Sequence, residues 1–156
     1  MKNSFTNHLP LEIDLLFDNK KLDVFQYLCI LHYSRTHFNM KKLSFEQLLF
    51  YYTIIYFYEN KINFPLINIY LRNKKNLNAM VIYLSNLGFI NIEGDVTTPT
   101  NKLKISITEL GQTTMTFWES IELKTQCENI QSVIRRYPFD KHSTSFNRLL
   151  YKGELQ

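Results

Sequence analysis

The chain is poor in the residues on which many catalytic and secreted scaffolds depend. Of its 156 residues only four are Gly, four are Pro and two are Cys. With so few glycines there is no Gly-x-x-x-x-Gly-Lys-Ser/Thr phosphate loop, and Lys152-Gly153 has the order and context wrong. A Gly-x-Ser-x-Gly nucleophile elbow is also missing. The two cysteines, Cys29 and Cys127, each fall inside an apolar helical pattern, which reads as a buried thiol in a reducing compartment. Cys29 and His32 stand three apart on one helix, but a structural metal needs further ligands and none is spaced nearby. Glu12, Asp14 and Asp18 form an acidic cluster that reads as a solvated helix face. His8, His37 and His142 lie in polar segments without an evident base or nucleophile partner. No enzyme activity, cofactor or metal is therefore expected.

Long apolar runs are absent as well. Tyr, Thr, Glu and Lys interrupt every stretch before it reaches bilayer length. The first residues carry Asn3, Asn7, Glu12 and Asp14 where a signal peptide needs an apolar core. The expected location is the cytoplasm, with no membrane partner. Charge of one sign is not concentrated either. Lys and Arg number 18 against 14 Asp and Glu, a net charge of +4. The pairs Lys20-Lys21, Lys41-Lys42, Lys74-Lys75 and Arg135-Arg136 are spread along the chain, as solvated lysines at helix ends are, and not as a nucleic-acid-binding stripe.

What the chain does have is apolar and aromatic surface: 45% hydrophobic residues, with 12 Phe and 10 Tyr. That is enough for one domain with a real core and no disulfide staples. Three segments are expected: an arm or short helix over residues 1–19, a folded domain over 20–137, and a tail over 138–156. Within the domain, Leu22, Phe25, Leu28 and Cys29 repeat at helical spacing over residues 20–38. Ser44 opens a second helix, and Gln47 three residues later permits a capping box. The stretch 45–59 is apolar on all sides, the mark of a helix buried on both faces. Its aromatic surplus also suits an interface, unless the terminal segments cover it. Residues 60–76 read as a connector through Pro65, in which 66–71 forms a short strand or helix. Asn76 then caps a third helix over 77–87, and Gly88 ends it.

The period next changes. Residues 89–92 and 102–107 alternate as strands do, around a polar tip at 94–101. Thr108 is expected to cap a long last helix over 109–137, carrying Leu110, Thr114, Phe117, Ile121, Cys127, Ile130, Ile134 and Tyr137 as its stripe. Three helices, a β-hairpin wing and an exit helix resemble the winged-helix arrangement. The motif that carries this is Leu84-Ser85-Asn86-Leu87-Gly88-Phe89-Ile90, then a polar wing, then Ile105-Ser106-Ile107-Thr108-Glu109-Leu110-Gly111. The expected fold class is mainly α: a winged helix with a long C-terminal helix and a short tail.

In winged-helix regulators the third helix enters the major groove. Here that helix offers only Asn78, Ser85 and Asn86 as polar readers. Arg72, Lys74 and Lys75 precede it, and Lys102 and Lys104 lie on the wing beside Glu93 and Asp95. These five cations suit weak, non-specific DNA contact at most. A protein partner is the stronger expectation. The distal stripe Cys127, Ile130, Ile134 and Tyr137 looks too far along the helix for so small a core. With Phe146, Leu149, Leu150 and Tyr151 of the tail, it is expected to contact a partner subunit.

Most of residues 10–137 resembles a known group, the small middle components of bacterial three-component ABC-ATPase anti-phage systems of the Lamassu-like kind. The similar segments are Leu11-Glu12-Ile13-Asp14-Leu15-Leu16, the helix Leu43-Ser44-Phe45-Glu46-Gln47-Leu48-Leu49, and the third-helix, wing and exit-helix block quoted above. The resemblance implies a subunit without activity of its own. It would bridge or regulate an SMC- or Rad50-like coiled-coil ATPase and an effector, often a nuclease. The alternative is a winged-helix transcription regulator of the PadR or MarR type, acting as a homodimer through residues 109–137.

Overall fold

The computed structural model describes residues 18–121 and 124–155. The arm expected over residues 1–19 lies almost wholly outside them, as does Leu11–Leu16 of the resemblance. Among the described residues there are seven α-helices and three short strands: α1 (Asp18–Phe38), β1 (Leu43–Ser44), α2 (Phe45–Glu59), α3 (Ile67–Asn86), β2 (Ile90–Glu93), β3 (Lys104–Ile107), α4 (Glu109–Ile121), α5 (Lys124–Arg136), α6 (Phe139–His142) and α7 (Phe146–Lys152). The strands form one antiparallel sheet in the order β1-β3-β2, with Ile90 opposite Ile107 and Leu43 opposite Ile105. No helix of the described residues is long and apolar enough to cross a membrane.

Helix α2 is the centre of the molecule. Phe45, Leu48, Leu49, Phe50, Tyr51, Tyr52, Thr53, Ile54 and Ile55 are all buried, so from Leu48 to Ile55 every side of the helix is covered. Helices α1, α3, α5 and α6 pack around it. Its start is the expected capping box: the Gln47 amide donates to Ser44 Oγ over 3.2 Å, and the Ser44 amide donates to Gln47 Oε1 over 2.9 Å. Ser44 also ends β1, so the cap ties the sheet to the central helix.

Helix α3 starts ten residues earlier than the sequence suggested. Asn76 is inside the helix and caps nothing; Leu66, just after Pro65, takes the N-cap position. The run 72–76 looked like a cap and connector because it is polar. In the helix it is interrupted by no breaker, and Tyr70, Leu77, Val81 and Leu84 form one inward stripe past it. Helix α3 ends where expected. Gly88 has φ +78°, and the Phe89 amide returns to the Leu84 carbonyl over 3.0 Å.

The base of the hairpin is closed by a small knot. Thr108 Oγ1 donates to the Gly88 carbonyl over 2.6 Å and accepts from the Gly111 amide over 3.1 Å, so it caps α4 while holding the α3 exit. Gly111 is pressed on the turn that leads into β2: a Cβ there would stand 2.4 Å from the Phe89 carbonyl oxygen. Gly111→Ala is therefore expected to lower stability by about 1–3 kcal/mol through overpacking against backbone. Gly88→Val should act on the same scale, about 1–3 kcal/mol, through its left-handed φ. Urea unfolding midpoints read both, and unchanged midpoints would contradict this account of the knot.

Residues 109–121 and 124–136 are helical as expected, as α4 and α5 on either side of residues 122–123, and both pack along α1. At 21 residues α1 is roughly 30 Å long, enough to flank the two in succession. The tail is helical as well. The Phe139 and Phe146 rings lie 5.2 and 4.9 Å from that of Phe50, and Phe146 also meets Tyr70 of α3 at 5.7 Å. Gly153, with φ +69°, brings the chain end against the Phe64 backbone.

Candidate interaction surface

The structure revises the partner-binding residues first. Cys127, Ile130, Ile134 and Tyr137 are buried in the chain's own core, with Cys127 and Ile130 at 0% exposure. Phe146, Leu149 and Leu150 are buried too, and of the eight only Tyr151 is exposed. The expectation that these side chains need another molecule is corrected. Helices α1 and α2 supply the surface that a smaller core would lack. Cys29 Sγ and Cys127 Sγ lie 3.8 Å apart at the α1–α5 seam, and the Tyr58 and Tyr137 rings stack at the α2–α5 seam. Among the described residues, no three His, Cys, Asp or Glu side chains gather as metal ligands do.

Exposed apolar side chains occur at several places, among them Phe64, Val96, Phe117 and Tyr151, and two others share a face of α3. Leu71 and Ile82 are 53% and 58% exposed, and their three-turn spacing sets them on one face. Lys75, Asn78 and Ala79, also exposed, fill the surface between them. Leu87, just past the helix end, is exposed as well, but it stands about 140° around the axis from Ile82 and so on another face. Leu110 of α4, also exposed, lies beside Gly88, where an added Cβ would meet Leu110 Cδ2 at 3.5 Å. Sequence periodicity missed the outward pair on α3. The inward stripe of the same helix satisfies the 3.6-residue period by itself, so the extra outward Leu and Ile carry no separate signal.

The five cations expected to touch DNA are all exposed, but they do not converge. Arg72 and Lys74 are two residues apart on a helix, about 200° around its axis, and so point to opposite sides. Arg72 stands near Asp23, while Lys74 lines a small cleft with Glu46 and Asn78. Lys104 pairs across the sheet with Glu93, which also holds Lys42 at 2.6 Å. On the wing tip, hydrogen bonds from the Thr97 hydroxyl and amide and the Thr98 hydroxyl hold the Asp95 carboxyl below its usual range. The tip thus keeps its negative charge, which repels phosphate. Residues 67–86 themselves contain Arg72, Lys74 and Lys75 and no carboxylate.

Comparison with known proteins gives no neighbour: no family model, no curated protein and no solved structure matches the chain.

Proposed function

We propose that the chain is a winged-helix module serving as a non-catalytic subunit of a larger protein assembly, and that α3 is its contact helix. The element order helix, strand, two helices, hairpin, helix, with β3 between β1 and β2, supports the winged-helix reading. The observation that carries the functional reading is the outward pair Leu71 and Ile82 on one face of the helix that winged-helix regulators insert into DNA. A groove-reading helix presents donors along its outer face, whereas this one sets Leu71 and Ile82 at the two ends of the face that Lys75 and Asn78 share. Its partner is a protein with an apolar seam and acidic flanks, which complement Leu71 and Ile82 and the Lys75 that lies between them. A coiled-coil arm presents such a seam. That suits the SMC- or Rad50-like ATPase of the Lamassu-like resemblance, with an effector nuclease as third member, all in the cytoplasm. Co-purification from the native host, with the neighbouring genes expressed, tests this. Recovery of a coiled-coil ATPase supports it, and recovery of a lone homodimer contradicts it.

A second reading, a homodimeric DNA-binding regulator, draws on Asn78 and Asn86, both exposed on α3. The two readings separate on duplex DNA. The subunit reading expects only weak, sequence-independent binding that falls steeply between two salt concentrations. Tight binding to one palindrome, lost on mutating Asn78 and Asn86, selects the regulator.

A further inference from the structure

Where α1, α2 and α3 meet, the helices leave a cavity of about 560 Å³, and every side chain lining it carries a hydrogen-bonding group. The cavity opens to solvent where Glu59, Asn60, Arg72 and Asn76 are exposed, while Gln26 and Tyr52 are buried. Here α1 contributes Asp23 and Gln26, α2 contributes Tyr52 and Glu59, and α3 contributes Arg72 and Asn73. The Tyr52 hydroxyl donates to Asp23 Oδ1 over 2.5 Å, and Gln26 Nε2 donates to Glu59 Oε2 over 2.9 Å. Two carboxyls against one guanidinium leave the walls acidic by one charge. Burial raises both Asp23 and Glu59 above the ordinary carboxyl range; the Tyr52 and Arg72 contacts on one, and Gln26 on the other, only partly offset it. Both carboxylates are therefore short of positive partners. On the α3 side the need is opposite. Asn73 Nδ2 is buried without a hydrogen-bond partner among the described residues, and it is a donor. Arg72 beside it is a donor as well.

We propose that this cavity binds a small zwitterion with a cationic side chain, an amino acid of the arginine type, its cation on Asp23 and Glu59 and its carboxylate toward Arg72 and Asn73. A guanidinium offers the paired N–H donors that carboxylates accept best, and a carboxylate matches the Arg72 fork in the same way. The volume falls in the range of small-ligand sites and leaves room for bridging water. Arg72 and Asn73 belong to α3 as well, but Leu71 and Ile82 are not part of the cavity, so the proposal does not rest on the reading of α3 as a contact helix.

Titration calorimetry on the full chain with L-arginine, L-citrulline and agmatine tests it. Citrulline keeps the shape but lacks the charge, and agmatine keeps the guanidinium but lacks the carboxylate. The expected result is saturable binding of L-arginine, with citrulline and agmatine at least tenfold weaker. Glu59→Gln and Arg72→Gln, checked for unchanged thermal midpoints, should each weaken L-arginine at least tenfold. No saturable heat with L-arginine overturns the proposal. So does citrulline binding as tightly, or an affinity that neither substitution changes.

Discussion

Ile130→Asp is expected to leave the isolated chain largely unfolded at room temperature. Ile130 is fully buried in α5, between Cys127 and Ile134 at 0% and 2% exposure, where α5 meets α1 and α2. Losing the aliphatic side chain forfeits about 2–3 kcal/mol of transfer free energy. An uncompensated buried carboxylate adds roughly 3–5 kcal/mol. The sum rivals the whole stability of a domain, about 5–15 kcal/mol. Circular dichroism should show lost helix, while Ile130→Val should remain folded with a loss of about 0.5–1.5 kcal/mol. A stable, helical Ile130→Asp chain would mean that the α5 stripe faces something other than this core.

Ile82→Asp is expected to do the reverse. The side chain is more than half exposed, so stability should stay within about 0.5 kcal/mol of the parent. Binding to the proposed partner should fall about 100-fold, because a charge replaces an apolar anchor of the proposed contact helix. Tyr151→Asp, on the exposed side of α7, serves as the comparison and should leave binding unchanged. If instead Tyr151→Asp abolishes capture and Ile82→Asp does not, the tail is the contact and the α3 proposal falls.

The local signals were legible because each needs only neighbours in sequence. Ser44 and Gln47 form their reciprocal cap, Gly88 takes its positive φ, and Thr108 caps α4. The hairpin lies within one or two residues of the expected strands. Strand β1 was not legible: two residues cannot display an alternation, and Leu43–Ser44 is a strand only because β3 lies beside it. The start of α3 was obscured by the polar residues 72–76, which a solvent-facing helix side tolerates. The distal stripe was misread for a different reason. Periodicity shows that Cys127, Ile130, Ile134 and Tyr137 share a face, but not what covers it. The reach of α1 along α4 and α5 is a tertiary fact. The tail failed in the same way, since Phe146 is fixed by Phe50 and Tyr70, both far away in sequence.

The central claim is that α3 is the contact helix of a subunit. Hydrogen exchange on the co-purified assembly, compared with the isolated chain, measures it most directly. The account predicts that added protection in the assembly concentrates on residues 67–88 and the first turn of α4, while α5 is equally protected in both. Unchanged exchange over 67–88, with new protection confined to 139–155, would contradict it.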